Sequence, residues 1–228
     1  MKLAQLTILA IDSAIGISSA AIWRGGKVAA YLEDRESGMQ AAKLVPLVEA
    51  TLKQANIAYT DLTAVAATIG PGSFTGIRIG LATARGIAFA AGIPCLGFTT
   101  LEVMHAALCH PDENRDPALQ ELDTVVRRYD GELCILNAGK GEVFYQVFGE
   151  TITESAIGRL EEIISQYPNA KLACGVPLPA GYSAAITHPR ADALAALAAS
   201  HPERAQPPSP FYIRPPDAKP QSALCSAP

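Results

Sequence analysis

The sequence predicts an α/β protein of two unequal lobes, and three observations carry that expectation. The chain opens with three short apolar segments joined by tight turns. A glycine-rich block, Gly70-Pro71-Gly72-Ser73-Phe74-Thr75-Gly76, then separates an apolar run from a long helical pattern. In the second half, a hairpin, a helix, a strand and a helix echo the opening plan in shorter form.

The first segment, residues 6–12, is an apolar run ending in a carboxylate, Ile8-Leu9-Ala10-Ile11-Asp12-Ser13. Segments 18–23 and 28–32 flank Arg24-Gly25-Gly26-Lys27. A Gly-Gly pair suits a primed hairpin turn, whose central residues take positive φ. Ser13-Ala14-Ile15-Gly16 joins the first two strands. An Asp placed before such a small-residue turn either caps it or faces a metal–phosphate complex; spacing leaves both open. Over residues 40–55, Leu44, Leu47, Val48, Thr51 and Leu52 recur at helical spacing. Pro46 interrupts that pattern, so the helix either begins near Val45 or is kinked. Residues 61–68 return as a buried strand.

The glycine block places several backbone N–H groups and a helix N-terminus at one spot, which suits an anion or a close backbone-to-backbone contact. It is no Walker A loop, because no Lys-Ser or Lys-Thr follows its last glycine. Its G-x-G-x-x-x-G spacing is one residue too long for the dinucleotide fingerprint, and the nearest downstream acid is Glu102. A tight turn capped by Ser73 or Thr75 competes with a ligand or partner site. The following helix, to about Ala91, carries Gly76, Gly80, Ala84 and Ala88 on one face. Mid-helix glycines are unfavourable by about 1 kcal/mol each, acceptable where another backbone comes close. That backbone belongs either to the chain's own sheet or to a partner, with Ile79, Thr83, Ile87 and Ala90 covering the other contact.

Residues 92–97 read as a strand, and Thr99-Thr100-Leu101-Glu102 as a capping box opening a helix to about Leu108. The loop at 111–116 is polar, and the boundary between halves falls between 109 and 123, written as lobes 1–110 and 111–228. Residues 133–136 and 143–148 form a hairpin around Asn137-Ala138-Gly139-Lys140-Gly141-Glu142. Helical patterns cover 158–166 and 190–199, with a strand at 172–174 between them. The proline-rich tail from Pro207 is extended and docks in part through Phe211-Tyr212-Ile213. This order outlines a ribonuclease-H-like architecture.

With 49 % apolar residues and a net charge of −4, the chain has material for a core and little long-range attraction for nucleic acid. No apolar run reaches the roughly 18 residues of a membrane span. The first residues reach Asp12 too soon for a signal peptide, so a cytoplasmic protein is expected. The 5 cysteines, without C-x-x-C, read as reduced core residues. The 4 histidines form no H-x-x-x-H pair, and no metal site is expected. Ser73 lacks a nucleophile elbow, and the pairs Glu121/Asp123 and Glu161/Glu162 read as solvated surface. No self-sufficient active site assembles, and catalytic residues are not expected.

Ile8-Leu9-Ala10-Ile11-Asp12, the block from Gly70 to Leu81 and the tail Tyr212-Ile213-Arg214-Pro215-Pro216-Asp217-Ala218-Lys219-Pro220 together resemble the TsaB (YeaZ-type) family of bacterial tRNA threonylcarbamoyladenosine biosynthesis proteins. The resemblance implies an actin-like ATPase fold with a reduced second lobe. It implies a non-catalytic scaffold in the complex that adds threonylcarbamoyl to N6 of adenosine 37 in tRNAs reading codons that begin with adenosine. The transfer belongs to the partner TsaD, which carries metal-binding histidines, and the ATPase TsaE joins the assembly; a homodimer is expected without TsaD. Pairing is expected through the helices at 40–55 and 75–91, with Leu44, Leu47, Val48, Gly76, Gly80, Ala84 and Ala88 at the interface. Asp12, Ser13, Gly70, Gly72, Ser73, Thr75 and Gly76 are the expected phosphate or nucleotide loop. No cofactor is expected to be bound obligatorily, and the partner interface leaves ATP or ADP open as a ligand. The family pattern differs at Gln40 (His), Lys43 (Arg), Ile69 (Arg or similar) and Asn137 (an acid). A small-molecule kinase of the same superfamily, using Asp12 and Ser13 at the phosphates, is the rival reading.

Overall fold

The structure is a computed structural model that describes residues 6–36, 38–109 and 131–214. The loop at 111–116, His110, Glu121/Asp123, Cys225 and the tail beyond Arg214 lie outside the described residues, as do residues 1–5. Two sheets are built on one plan. The first has strand order β3-β2-β1-β4-β5, from β1 (Thr7–Asp12), β2 (Ser18–Arg24), β3 (Lys27–Asp34), β4 (Ala64–Gly70) and β5 (Cys95–Thr99). β1–β2 and β2–β3 are antiparallel, while β1–β4 and β4–β5 are parallel. The second, in order β8-β7-β6-β9, comprises β6 (Glu132–Gly139), β7 (Glu142–Phe148), β8 (Ala156–Gly158) and β9 (Lys171–Cys174). It repeats the antiparallel triplet and the parallel crossover strand but, among the described residues, has no counterpart of β5. This is the ribonuclease-H-like, actin-like ATPase fold with a reduced second lobe.

Because β1 and β4 are covered on both faces, they read as continuous apolar runs and not as alternation. Leu9, Ile11, Val65, Ala67 and Ile69 face α1 (Gln40–Ala55) and α2 (Phe74–Ala91). Ile8, Ala10, Ala64 and Ala66 face the opposite layer, α3 (Thr100–Cys109) and α5 (Ala191–Ser200). α5 is supplied by the second half of the chain yet packs on the first sheet, with the Ser19 hydroxyl accepting from the Ala191 amide at 3.0 Å. A boundary at 110/111 therefore does not divide the packing. α3 also serves two sheets, since Leu101, Met104 and Leu108 pack on Cys134, Leu136 and Phe148 of the second. α4 (Leu160–Gln166) covers that sheet's other face through Ile163 and Ile164.

Local chemistry accounts for most boundaries. Gly25 and Gly26 have φ of 64° and 85°, the primed turn that keeps the β2–β3 hairpin twisted correctly. The capping box forms: Thr99 Oγ1 accepts from the Glu102 amide at 3.2 Å, and the Glu102 carboxylate accepts from the Thr99 amide at 3.0 Å. Thr99→Ala is expected to lose about 1 kcal/mol of stability, read as a lower urea midpoint; an unchanged midpoint would remove the cap from this account. α1 runs from Gln40 to Ala55 as the periodicity predicts, with Pro46 inside it, which excludes a start near Val45. Pro46 lies on the exposed side, and the amide it lacks leaves the Ala42 carbonyl without its usual intrahelical donor. The helical pattern at 158–166 forms as α4 from Leu160, while Gly158 instead ends the short strand β8, which pairs with β7.

Candidate functional site

The glycine block and the turn after β1 meet at the first turns of α2. β1 delivers Asp12, Ser13 and Ala14, while β4 delivers Thr68 and Gly70, because the two strands are parallel neighbours. The Ser73 amide donates to the Ala14 carbonyl at 2.6 Å, and the Ser13 hydroxyl donates to the Gly76 carbonyl at 2.8 Å. Ser73 also caps α2, its Oγ accepting from the Gly76 amide at 3.2 Å. The glycines exist for this contact. A Cβ at Gly72 would sit 2.3 Å from the Ala14 carbonyl oxygen, and one at Gly76 would sit 2.1 Å from that of Ser13. At Gly80 it would meet Ser13 Oγ at 2.5 Å.

This arrangement corrects the expected phosphate loop. Asp12 and Ser13 are buried, and Gly72 and Gly76 lie against the turn's own backbone. Gly70 is closed off by the docked tail: the Phe211 amide donates to the Ile69 carbonyl at 2.8 Å, with the Phe211 carbonyl directly over Gly70. Of the expected residues only Ser73 and Thr75 are exposed, and the Ser73 and Gly76 amides are already bonded. A strand-end Asp and a glycine turn are compatible with an anion site in sequence. In the fold, the chain's own backbone fills the position.

Asp12 is the one strongly perturbed acid here. Its Oδ1 accepts from Thr68 Oγ1 at 2.6 Å and from the Ala14 amide at 3.3 Å, while Oδ2 is buried without a partner. Burial pushes its carboxyl up to about 7, against the opposing pull of these hydrogen bonds.

The expected interface residues divide between core and surface. Leu44, Val48, Gly76, Gly80, Ala84 and Ala88 are buried against the chain's own sheet and turn, so they cannot touch a partner directly; Leu47 is half-buried against the same core. The small-residue stripe answers to intrachain packing. What α1 and α2 leave outside is a different set. Phe89 is 91 % exposed, Val45 is 46 % exposed, and a Cβ added at Gly86 would meet nothing within 4 Å. Gly86, Ile87, Ala90 and Ala91 line an open, mainly apolar groove of about 590 Å³ with Tyr59, Thr60 and Leu62. At the other end of α2, Arg78 lies over Phe74, which stacks on Tyr212 at 5.6 Å. Phe89 is legible in the sequence as an apolar residue off the buried stripe, a signal that periodicity of the small residues alone does not carry.

The residues that differ from the family pattern have local roles. Gln40 donates to the Gly16 carbonyl at 2.8 Å, Lys43 pairs with Asp34 at 3.2 Å and with Glu36, and Asn137 caps the β6–β7 turn through the Gly139 amide. Ile69 is buried core. Among the described cysteines, Cys134 and Cys174 are buried as expected, Cys95 is half-buried, and Cys109 is exposed, contrary to the expected core position.

Two sheets on one ribonuclease-H-like plan, with the loop position filled from within, define the actin-like ATPase class. Comparison with known proteins narrows it further. The family model described as TsaD, tRNA N6-adenosine threonylcarbamoyltransferase, matches residues 39–199, more than two thirds of the chain. The chain belongs to that family, and within it resembles the TsaB proteins. It is 41 % identical over 101 residues to the tRNA threonylcarbamoyladenosine biosynthesis protein TsaB of Escherichia coli K12, covering 43 % of this chain and 42 % of that protein. It is 45 % identical over 62 residues to the tRNA N6-adenosine threonylcarbamoyltransferase of Erythrobacter litoralis, covering 27 % of this chain and 18 % of that one. These matches span less than half the length of the curated relatives. The solved structure of YeaZ from Pseudomonas aeruginosa shares the fold, with a TM-score of 0.69, 22 % identity, and coverage of 91 % of this chain and 100 % of that one. Among the described residues, no helix is long and apolar enough to cross a membrane.

Proposed function

We propose that this chain is a non-catalytic scaffold subunit in the formation of N6-threonylcarbamoyladenosine at position 37 of tRNAs reading codons that begin with adenosine. In this reading it pairs with and activates TsaD in the cytoplasm, TsaE and tRNA join through the complex, and two copies pair when TsaD is absent. The observations that carry the reading are a glycine block packed on the chain's own turn and exposed apolar residues on α1 and α2. Ser13 and Ala14 lie against Gly72, Gly76 and Gly80, while Phe89 and Val45 stand in solvent on α2 and α1. An exposed apolar patch marks a protein contact more often than it serves a monomer, and α2 offers one in the groove lined by Gly86, Ile87, Ala90 and Ala91. No nucleotide is held obligatorily; any ATP or ADP belongs to the interface with the partner.

Light scattering of the chain mixed with TsaD from the same organism tests this, together with a threonylcarbamoylation assay. The expected result is a 1:1 complex and modification that requires both chains. No complex, with ATP turnover by this chain alone, would favour the kinase. A substitution at Ala84 cannot serve as the probe, because that side chain is fully buried in the chain's own core. Gly86 can. Gly86→Trp has room within the monomer and is expected to abolish pairing with the fold retained. Gly86→Ala should raise monomer stability by about 1 kcal/mol. Undiminished co-purification of the Gly86→Trp chain with TsaD would move the interface elsewhere.

A further inference from the structure

We infer that α3 and β6 form a binding site for a borderline divalent cation of the Zn2+ type, held by His105, Cys109 and Glu132. The three donor atoms come from different chemistries and two elements, yet all lie within 4.8 Å of one another. His105 and Cys109 are four residues apart on α3, which puts both on one helix face. This is the offset by which helical ligand pairs share a metal. Glu132 opens β6 and approaches from the second sheet: its Oε2 is 2.9 Å from His105 Nε2, and Cys109 Sγ is 3.5 Å from that same nitrogen. A tetrahedral zinc with ordinary Zn–N and Zn–S bonds holds N and S about 3.5 Å apart, and N and O slightly over 3 Å apart. The donors therefore need only small rotations to close on an ion.

The ring is already oriented. His105 stacks on Phe148 with ring centroids 4.1 Å apart and planes 8° off parallel. Phe148 is the cross-strand partner of Glu132, so one register pair presents both the platform for the imidazole and the carboxylate. A hydrogen bond to Glu132 accounts for that carboxylate, but not for the thiol that shares the same ring nitrogen. Lys171, the register partner of Glu132 on β9, donates to the Leu108 carbonyl at 3.5 Å and ties down the helix end that carries Cys109.

Imidazole, thiolate and carboxylate together suit Zn2+ or Co2+ over Mg2+ or Ca2+, which prefer oxygen alone. Binding releases the Cys109 thiol proton and leaves a fourth position for water. The ion would clamp α3, which packs on both sheets, to the first residue of β6. The H-x-x-x-H pattern does not reveal this set, because its second ligand is a cysteine and its third comes from another element.

The test uses the full chain, freed of metal by a chelator and titrated with Co2+ and then Zn2+. One equivalent should bind with a thiolate-to-cobalt charge-transfer band, Zn2+ should displace it, and Zn2+ should raise the melting temperature. Cys109→Ser should abolish the band and weaken Zn2+ binding by the order of a hundredfold, Glu132→Gln should weaken it by about tenfold or more, and Cys95→Ser should change neither. Circular dichroism of each apo variant confirms folding. An unaltered cobalt spectrum in Cys109→Ser, or no stoichiometric binding by the wild-type chain, overturns the site.

Discussion

Gly76→Ala is expected to destabilise the fold by about 3 kcal/mol, the upper end for overpacking a close-packed site. Helix propensity alone predicts the opposite sign, since alanine is favoured over glycine inside a helix by about 1 kcal/mol. The obstacle is a backbone atom. The new Cβ would lie 2.1 Å from the Ser13 carbonyl oxygen, and Gly76 itself accepts the Ser13 hydroxyl. Seating the methyl lifts the turn from α2 and breaks that bond together with the Ser73–Ala14 bond, each worth about 1 kcal/mol. Gly86→Ala, ten residues on in the same helix, meets nothing within 4 Å and has the helix-propensity sign. Urea denaturation of the two variants side by side is the measurement. Equal midpoints would mean that the turn does not rest on the helix.

The second large effect is a pH dependence centred on Asp12. Its carboxyl titrates near 3.8 when unfolded and at about 7 when folded. Between those values the folded chain keeps a proton that the unfolded chain has lost, so stability falls as pH rises through this window. Below about 4 both states are protonated, and the slope vanishes; above about 7 both are ionised, and the loss is complete. From pH 5 to pH 8 the loss from Asp12 is on the order of 3 kcal/mol. Asp12→Asn keeps an oxygen for Thr68 and the Ala14 amide and has no charge to desolvate, so it should flatten the curve and be the more stable chain at pH 8. Parallel slopes for wild type and Asp12→Asn would show that this carboxyl carries no such load.

Asp12 also shows where local pattern stops being informative. Its place at the end of a strand is legible, because an apolar run ending in a carboxylate is a local pattern. Its raised carboxyl, bonded through one oxygen only, is not, because that depends on Thr68, 56 residues away, and on the burial created by parallel pairing of β1 with β4. The Gly76–Gly80–Ala84–Ala88 stripe is similar. Periodicity shows that something must come close, but both its own sheet and a partner satisfy that requirement. Only the position of Ser13 decides between them.

Apart from the short strand β8, the order of elements, the glycine hairpin turn, the Thr99 capping box, α1 and α2, and the ribonuclease-H-like plan are written in the amino-acid sequence. Each of these rests on spacing, turn chemistry or propensity acting over a few residues. Three features come from tertiary packing instead: the glycine loop is filled, α5 crosses back onto the first sheet, and His105, Cys109 and Glu132 converge. Each depends on which distant segments the core brings together, and hydrophobic burial is too non-directional to announce that in a local pattern.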